Sequence, residues 1–202
     1  VTSIIKERDG RIVAKSKPQL ITIPASGEIS VTQSIALPTV RRWSLDDPYL
    51  YRIQYIVEHN GQLIDDRTIR FGIRQIDVKP NGVFVNGQHI KLLGTNNHQD
   101  HAGVGSALPD YLQYYRIGLL KQMGSNAYRA SHHVPTPELL DACDSLGMLV
   151  MSEQRLLNSS PEYVDQLTRL VKRDRSRASV FMWSIGNEEG WIQTNPFGKR
   201  IA

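Results

Sequence analysis

Four short polar clusters each close an apolar run, and they hold most of the groups in this chain that could do chemistry. The first is Asn96-Asn97-His98-Gln99-Asp100-His101. The second is Arg129 with His132-His133, the third Glu153-Gln154-Arg155, and the fourth Asn187-Glu188-Glu189. Four of the six histidines fall in the first two. Carboxylates close to imidazoles are the tools of general acid–base catalysis. A metal centre built from His98, Asp100, His101, His132 and His133 is the weaker reading, because their spacing matches no standard zinc pattern. No Gly-x-Ser-x-Gly elbow is present. Gly103-Val104-Gly105 lacks the third glycine of a dinucleotide loop, and no P-loop occurs. Cys143 lies on an apolar helical face and reads as core.

These clusters need elements to position them. Residues 1–75 read as strands: Leu20–Ile23, Glu28–Ile35, Tyr51–His59 and Leu63–Phe71 are β-rich runs. Asn60-Gly61 between the last two is a hairpin signal, since a type I′ turn needs φ > 0 at both central residues. Short strands with no helix suggest a β-sandwich, and this length is thin for one. A second hairpin pairs Asp77-Val78 with Val83–Val85 around Pro80-Asn81-Gly82, and Asn86-Gly87 turns into His89–Leu93.

From Ile90 the pattern alternates strand and helix. Ile90–Gly94, Asn126–Ser131, Met148–Met151 and Val180–Ile185 read as strands. Helices are expected from Pro109 to Met123, from Pro137 behind a Thr136 cap to Gly147, and from Ser160-Pro161 onward. Such alternation predicts parallel strands with right-handed crossovers. Periodicity leaves an open doubly wound sheet and a (β/α)8 barrel both possible. In either, chemistry sits at the C-terminal strand ends, where all four polar clusters fall.

The fourth strand carries a parity argument. Side chains alternate faces, so Met182, Ser184, Gly186 and Glu188 share one face, and Phe181, Trp183, Ile185, Asn187 and Glu189 the other. The bulky face suits outer helices and the smaller one a crowded interior, which points Glu188 inward unless a bulge breaks the alternation; the argument says little about Asn187. A carboxyl entering a partly dry cleft has its pKa raised, as a general acid needs.

Composition removes other classes. The chain has 202 residues, 40% hydrophobic and 22% charged, which is ordinary globular usage. Its single cysteine excludes an intrachain disulfide. No apolar run of about 18 residues supports a membrane span. The start VTSIIKERDG is no signal peptide; without a methionine it reads like the middle of a longer protein. The net charge of +4 raises nucleic-acid binding, but the only dense basic run, Lys172–Arg177, reads as a solvated helix end.

Trp183-Ser184-Ile185-Gly186-Asn187-Glu188-Glu189 resembles the acid/base motif of glycoside hydrolase family 2, which includes β-galactosidases, β-glucuronidases and β-mannosidases. Asp47–Tyr51 and Phe71-Gly72-Ile73-Arg74 resemble the end of that family's immunoglobulin-like sandwich. Asn86-Gly87 through Gly94–His98 resembles its barrel entry. Asn126–His132, Pro137–Asp144 and Arg173-Asp174-Arg175 also fit. The resemblance implies an immunoglobulin-like β-sandwich over 1–75, then the first four βα units of a (β/α)8 TIM barrel over 76–202. It further implies that Glu188 is the general acid/base and that Asn187 hydrogen-bonds the sugar 2-hydroxyl. Arg129 matches the arginine that supports the nucleophile, and His98, Asp100 and His132 match positions lining the sugar subsite.

The chain also departs from the pattern. Ser152-Glu153-Gln154-Arg155 stands where relatives often show Asp-Glu-Asn, and no Glu-x-His segment for magnesium follows Glu153. No metal or other cofactor is therefore expected. Retaining hydrolysis needs two carboxylates about 5–5.5 Å apart, yet the family's nucleophile lies on a late strand and only residues 189–202 follow Glu188. The expectation is a piece of a retaining β-glycosidase of terminal β-D-galactosides, the galactose lean resting on Gly186–Arg200. The alternative is a non-catalytic half-barrel that binds sugar or serves assembly. The expected partner is a carbohydrate substrate, not nucleic acid or membrane. An isolated half-barrel is expected to form a homo-oligomer or to depend on the missing half.

Overall fold

The computed structural model describes residues 1–198. The chain divides into two compact units, one of residues 1–41 with 49–73, the other of 42–48 with 74 onward.

The first unit is built on one antiparallel sheet. β1 (Thr2–Lys6), β2 (Ile12–Lys15), β3 (Tyr51–His59) and β4 (Gln62–Phe71) lie in the order β2-β1-β3-β4. The Asn60-Gly61 turn forms as expected, with φ of 50° and 77°, and the register it starts shifts once, between Val57 and Glu58, before running back to Tyr51 opposite Phe71. Ile5, Tyr49 and Tyr51 make the buried centre, with Ile53 and Phe71 packed against them. The strands expected at Leu20–Ile23 and Glu28–Ile35 are not paired strands. Val31–Leu37 alternates partial burial with exposure, the period of extended chain, and Ile35 and Leu37 reach the core. A side chain replaces the ladder here: Ser3 Oγ donates to Gln33 Oε1 at 2.6 Å, and Gln33 Nε2 donates to the Val1 carbonyl at 3.2 Å. β propensity thus gave the right backbone conformation without the pairing.

The second unit opens with a meander of β5 (Ile76–Lys79), β6 (Gly82–Val85) and β7 (Gln88–Ile90). Then come β8 (Gly94–Asn97), α1 (Asp110–Gln122), β9 (Ala127–Ala130), α2 (Pro137–Leu146), β10 (Leu149–Glu153), α3 (Pro161–Asp174), β11 (Val180–Ser184) and the short α4 (Gly190–Gln193). β8 to β11 are parallel and pair in sequence order. This is the strand order of successive barrel units. The run expected as one strand over Ile90–Gly94 is split, because Ile90 closes the meander opposite Val83. Thr136 caps α2, its Oγ1 accepting the Leu139 N–H at 3.3 Å, and Pro137 follows in the first turn.

The outer face of this sheet holds the core. Tyr128 and Ala130 of β9, Val150 of β10 and Val180 of β11 pack with Ile117, Leu139, Leu140 and Cys143 from the helices, and Trp183 joins them. Burying each Leu, Ile or Val fully stabilises by about 1.5–3 kcal/mol. Cys143 is 0% exposed, and burial pushes its thiol pKa well up, as suits an inert core thiol. Trp43, also 0% exposed, donates its Nε1–H to the Asp144 carbonyl at 2.7 Å. Asp144 Oδ1 accepts the Ser179 N–H at 2.8 Å. The basic run is not simply a solvated helix end. Arg173 Nη2 donates to the Pro135 carbonyl at 2.7 Å, and Arg177 pairs with Asp141 and Asp144. The turn before α2 and α2 itself offer acceptors that these cations reach on folding.

Candidate active site

With Tyr128, Ala130 and Val150 turned toward the helices, alternation puts Arg129, Met151 and Glu153 on the inner face. Arg129 and Met151 line one cavity of ≈ 330 Å³. Glu153 is 0% exposed and both its oxygens are engaged. Oε2 accepts Arg129 Nε–H at 2.8 Å and lies 2.7 Å from Arg129 Nη2. Oε1 stands 2.7 Å from His132 Nδ1. A carboxylate only accepts, so this contact puts the proton on His132 Nδ1 and leaves Nε2 turned elsewhere. A buried charge left unpaired would be costly, and the guanidinium offers Glu153 the charge-assisted bonds it needs.

Arg129 also crosses to the fourth strand end. Its Nη2 donates to Asn187 Oδ1 at 2.9 Å. Because a guanidinium cannot accept, the contact fixes the amide orientation: Oδ1 toward Arg129, the Nδ2 donors away from it. Arg129 therefore joins β9, β10 and the loop after β11 in one network. The first strand end adds the His98 ring, edge-on to His132 with centroids 5.7 Å apart. Arg116 of α1 donates to the His98 carbonyl at 2.6 Å. Beside these, burial lowers the pKa of His133, an effect strengthened by His98 and Arg116 and opposed by the Ser131 backbone and Glu153.

Of the residues singled out from sequence, the structure brings together Arg129, His132 and Asn187, with His98 against His132. Asp100 is exposed and has no hydrogen bond or ion pair among the described residues. Glu188 is likewise exposed and unpartnered among them. The parity argument holds for part of β11 only. Ser184 opposes the inward Glu153, and Trp183 packs outward, as expected. A register irregularity after Val180 turns Phe181 into the cavity of Arg129 and Met151 rather than toward the helices. The strand then ends at Ser184, so alternation does not extend to Glu188. Asn187, about which parity says little, is the residue whose side chain meets Arg129. Glu153 and Glu189 are two further buried carboxylates at these strand ends. Glu153 shares inward parity with Met151 at the end of an apolar strand, a signal that was readable. The burial of Glu189, at 7% exposure, left no such trace.

A fixed amide donor and an imidazole gather at the C-terminal ends of parallel strands, with an unpaired carboxylate beside them in sequence. With four parallel strands paired in sequence order, this is the site arrangement of a parallel βα protein, and the strand order is that of successive barrel units. Residues 76–160 and 157–200 match the description "Glycosyl hydrolases family 2, TIM barrel domain", and residues 1–74 match "Glycosyl hydrolases family 2". The chain belongs to glycosyl hydrolase family 2, as a β-sandwich followed by part of the TIM barrel. It is 34% identical over 206 residues to a protein of Bacteroides ovatus named β-galactosidase BoGH2A, covering 95% of this chain and 24% of that one. A protein of Formosa agariphila named putative β-glucuronidase is 32% identical over 158 residues, 74% of this chain and 19% of its own. The crystal structure of a family 2 member from Bacteroides cellulosilyticus superposes with a TM-score of 0.85 at 36% identity, covering 93% of this chain and 26% of that one. The chain thus spans about a quarter or less of the length of these relatives.

Proposed function

We propose that this chain supplies the acid/base side of the active site of a retaining β-glycosidase, with Glu188 as general acid/base. The observation that carries the reading is the Arg129 bridge from buried Glu153 to Asn187 Oδ1. It aims the Asn187 amide donors away from Arg129, as contact with a sugar hydroxyl requires, and it leaves the neighbouring carboxylate of Glu188 unpaired. His132 Nε2, His98 and Asp100 offer further hydrogen-bonding groups for the sugar. Terminal β-D-galactosides are the proposed substrates, supported by the name of the Bacteroides ovatus relative; the Formosa relative's name makes β-glucuronides the competitor.

The test is Glu188→Gln in the longest polypeptide that carries this sequence. For glycosides with poor leaving groups, kcat/KM should fall by at least about 100-fold, the scale of general acid catalysis. Activated aryl glycosides, which leave without a proton, should lose less. Undiminished turnover of the poor leaving groups would refute the role. The ratio of kcat/KM on matched aryl β-galactosides and β-glucuronides decides the sugar.

A second reading applies to the 202 residues alone. Both oxygens of Glu153 are committed and Glu189 is buried, so neither is free as a second carboxylate. Galactose binding without turnover would support a non-catalytic role, which fits the β8 and β11 edges, each unpaired on one side among the described residues. Such edges favour self-association or docking of a further barrel half.

A further inference from the structure

The loop that carries Glu188 is tied to itself by side-chain-to-backbone bonds. After β11, Ser184 Oγ donates to the Gly186 carbonyl at 2.9 Å. The Asn187 N–H then donates to Glu189 Oε2 at 2.6 Å, and Gln193 Nε2 donates to the Asn187 carbonyl. Both polar backbone groups of Asn187 are thus held by side chains from beyond Glu188. Glu189 is fixed in turn: its carbonyl accepts the N–H groups of Ile192 and Gln193 at 2.9 and 3.1 Å, and its Oε1 faces Arg155 Nη1 at 3.8 Å. The chain passes close above it. A Cβ at Gly186 would stand 2.5 Å from Leu157 Cβ and 2.7 Å from the Leu157 backbone nitrogen, so this segment, with Glu189 Oε2 beside it, packs closely only because it is glycine.

Glu188, by contrast, has no side-chain partner among the described residues. Its place is set by its backbone, and that backbone is set by its neighbours. We infer that Glu189 and Gln193 are positioning residues: by clamping the two backbone groups of Asn187, they place the Glu188 carboxyl and the Asn187 amide against the same substrate. The inference rests on the acid/base reading of Glu188. It also separates two adjacent glutamates of opposite use, one unpaired and exposed, the other buried and spent on structure.

The experiment compares Glu189→Ala, Glu189→Gln and Gln193→Ala with Glu188→Gln, in the longest polypeptide that carries the sequence, on aryl glycosides of graded leaving group. Glu189→Ala frees the Asn187 N–H, and kcat and kcat/KM should fall together by about 100-fold, the scale of a misplaced catalytic group. The loss should be steepest for poor leaving groups. Glu189→Gln keeps an oxygen acceptor for the same N–H and should restore most of the rate. If Glu189→Ala does not fold, Gln193→Ala carries the test: a fall in kcat of about tenfold with unchanged thermal unfolding supports the clamp. Full activity in that variant, an effect confined to KM, or failure of Glu189→Gln to recover the rate overturns it. These outcomes are read only where Glu188→Gln is impaired. An active Glu188→Gln instead refutes the acid/base reading, whatever Glu189 does.

Discussion

The two faces of the barrel sheet are made from the same strands and are built to opposite ends. Outward, Tyr128, Ala130, Val150 and Val180 meet the helices in an apolar layer with almost no exposure. Inward, residues one position along carry Arg129 and Glu153, joined to His132 and Asn187 by charge-assisted bonds. A strand gives each face every second residue, so a single β9 segment, Ala127-Tyr128-Arg129-Ala130, serves stability and chemistry at once. The outer layer is non-directional and tolerates repacking in proportion to volume. The inner network depends on which atom faces which, and one misplaced donor undoes it. Stability and activity should therefore be separable by face.

The largest stability effect belongs to the outer face. Leu140 is 0% exposed at its centre, and Leu140→Ala should cost about 3 kcal/mol through lost transfer energy and a residual cavity. Urea unfolding measures this directly. Turnover per folded molecule should stay near wild type. A variant that is stable but inactive would mean the two faces are coupled through the strands.

Glu153→Gln tests the inner face. The amide keeps the shape but brings donors to a place where Arg129 and His132 also donate. The loss should be about 1.5–3 kcal/mol, the scale of a hydrogen bond to a charged group, no larger than for Leu140→Ala. Activity should fall by about 100-fold, since Arg129 and His132 lose the group that orients them. If stability falls by more than in Leu140→Ala while activity persists, Glu153 is a structural ion and the contrast between faces collapses.

Much of this was legible in the sequence, for a physical reason that also marks where reading fails. The Asn60-Gly61 turn, the Thr136-Pro137 start of α2 and the alternation of strand and helix depend on neighbours within a few residues, and local chemistry dictates them. The unpaired extended chain over Val31–Leu37 depends on whether a partner strand lies alongside, which no local pattern records. The displaced Phe181 depends on register with β10, and the inward turn of Arg173 and Arg177 on acceptors in and before α2. The four polar clusters were found because strand ends can be read locally. Their centre was harder: among the described residues the carboxylate that Arg129 holds is Glu153, 24 residues on at the end of the next parallel strand, a pairing that only the sheet brings about.

The smallest effect concerns His133, in the turn after β9. Burial, with His98 and Arg116 nearby, holds the His133 pKa below its ordinary 6.5, against the pull of the Ser131 backbone and Glu153. A histidine with a lowered native pKa binds fewer protons folded than unfolded as the pH falls through 6.5. Stability rises with pH wherever the unfolded state binds more protons. His133 therefore contributes stability that is fully present above 6.5 and is lost as the pH drops below it. Urea unfolding at pH 7.5 and pH 5.5 should show wild type losing more stability than His133→Gln across that interval. Equal losses would place His133 with the solvated polar groups and remove burial as the source of the effect.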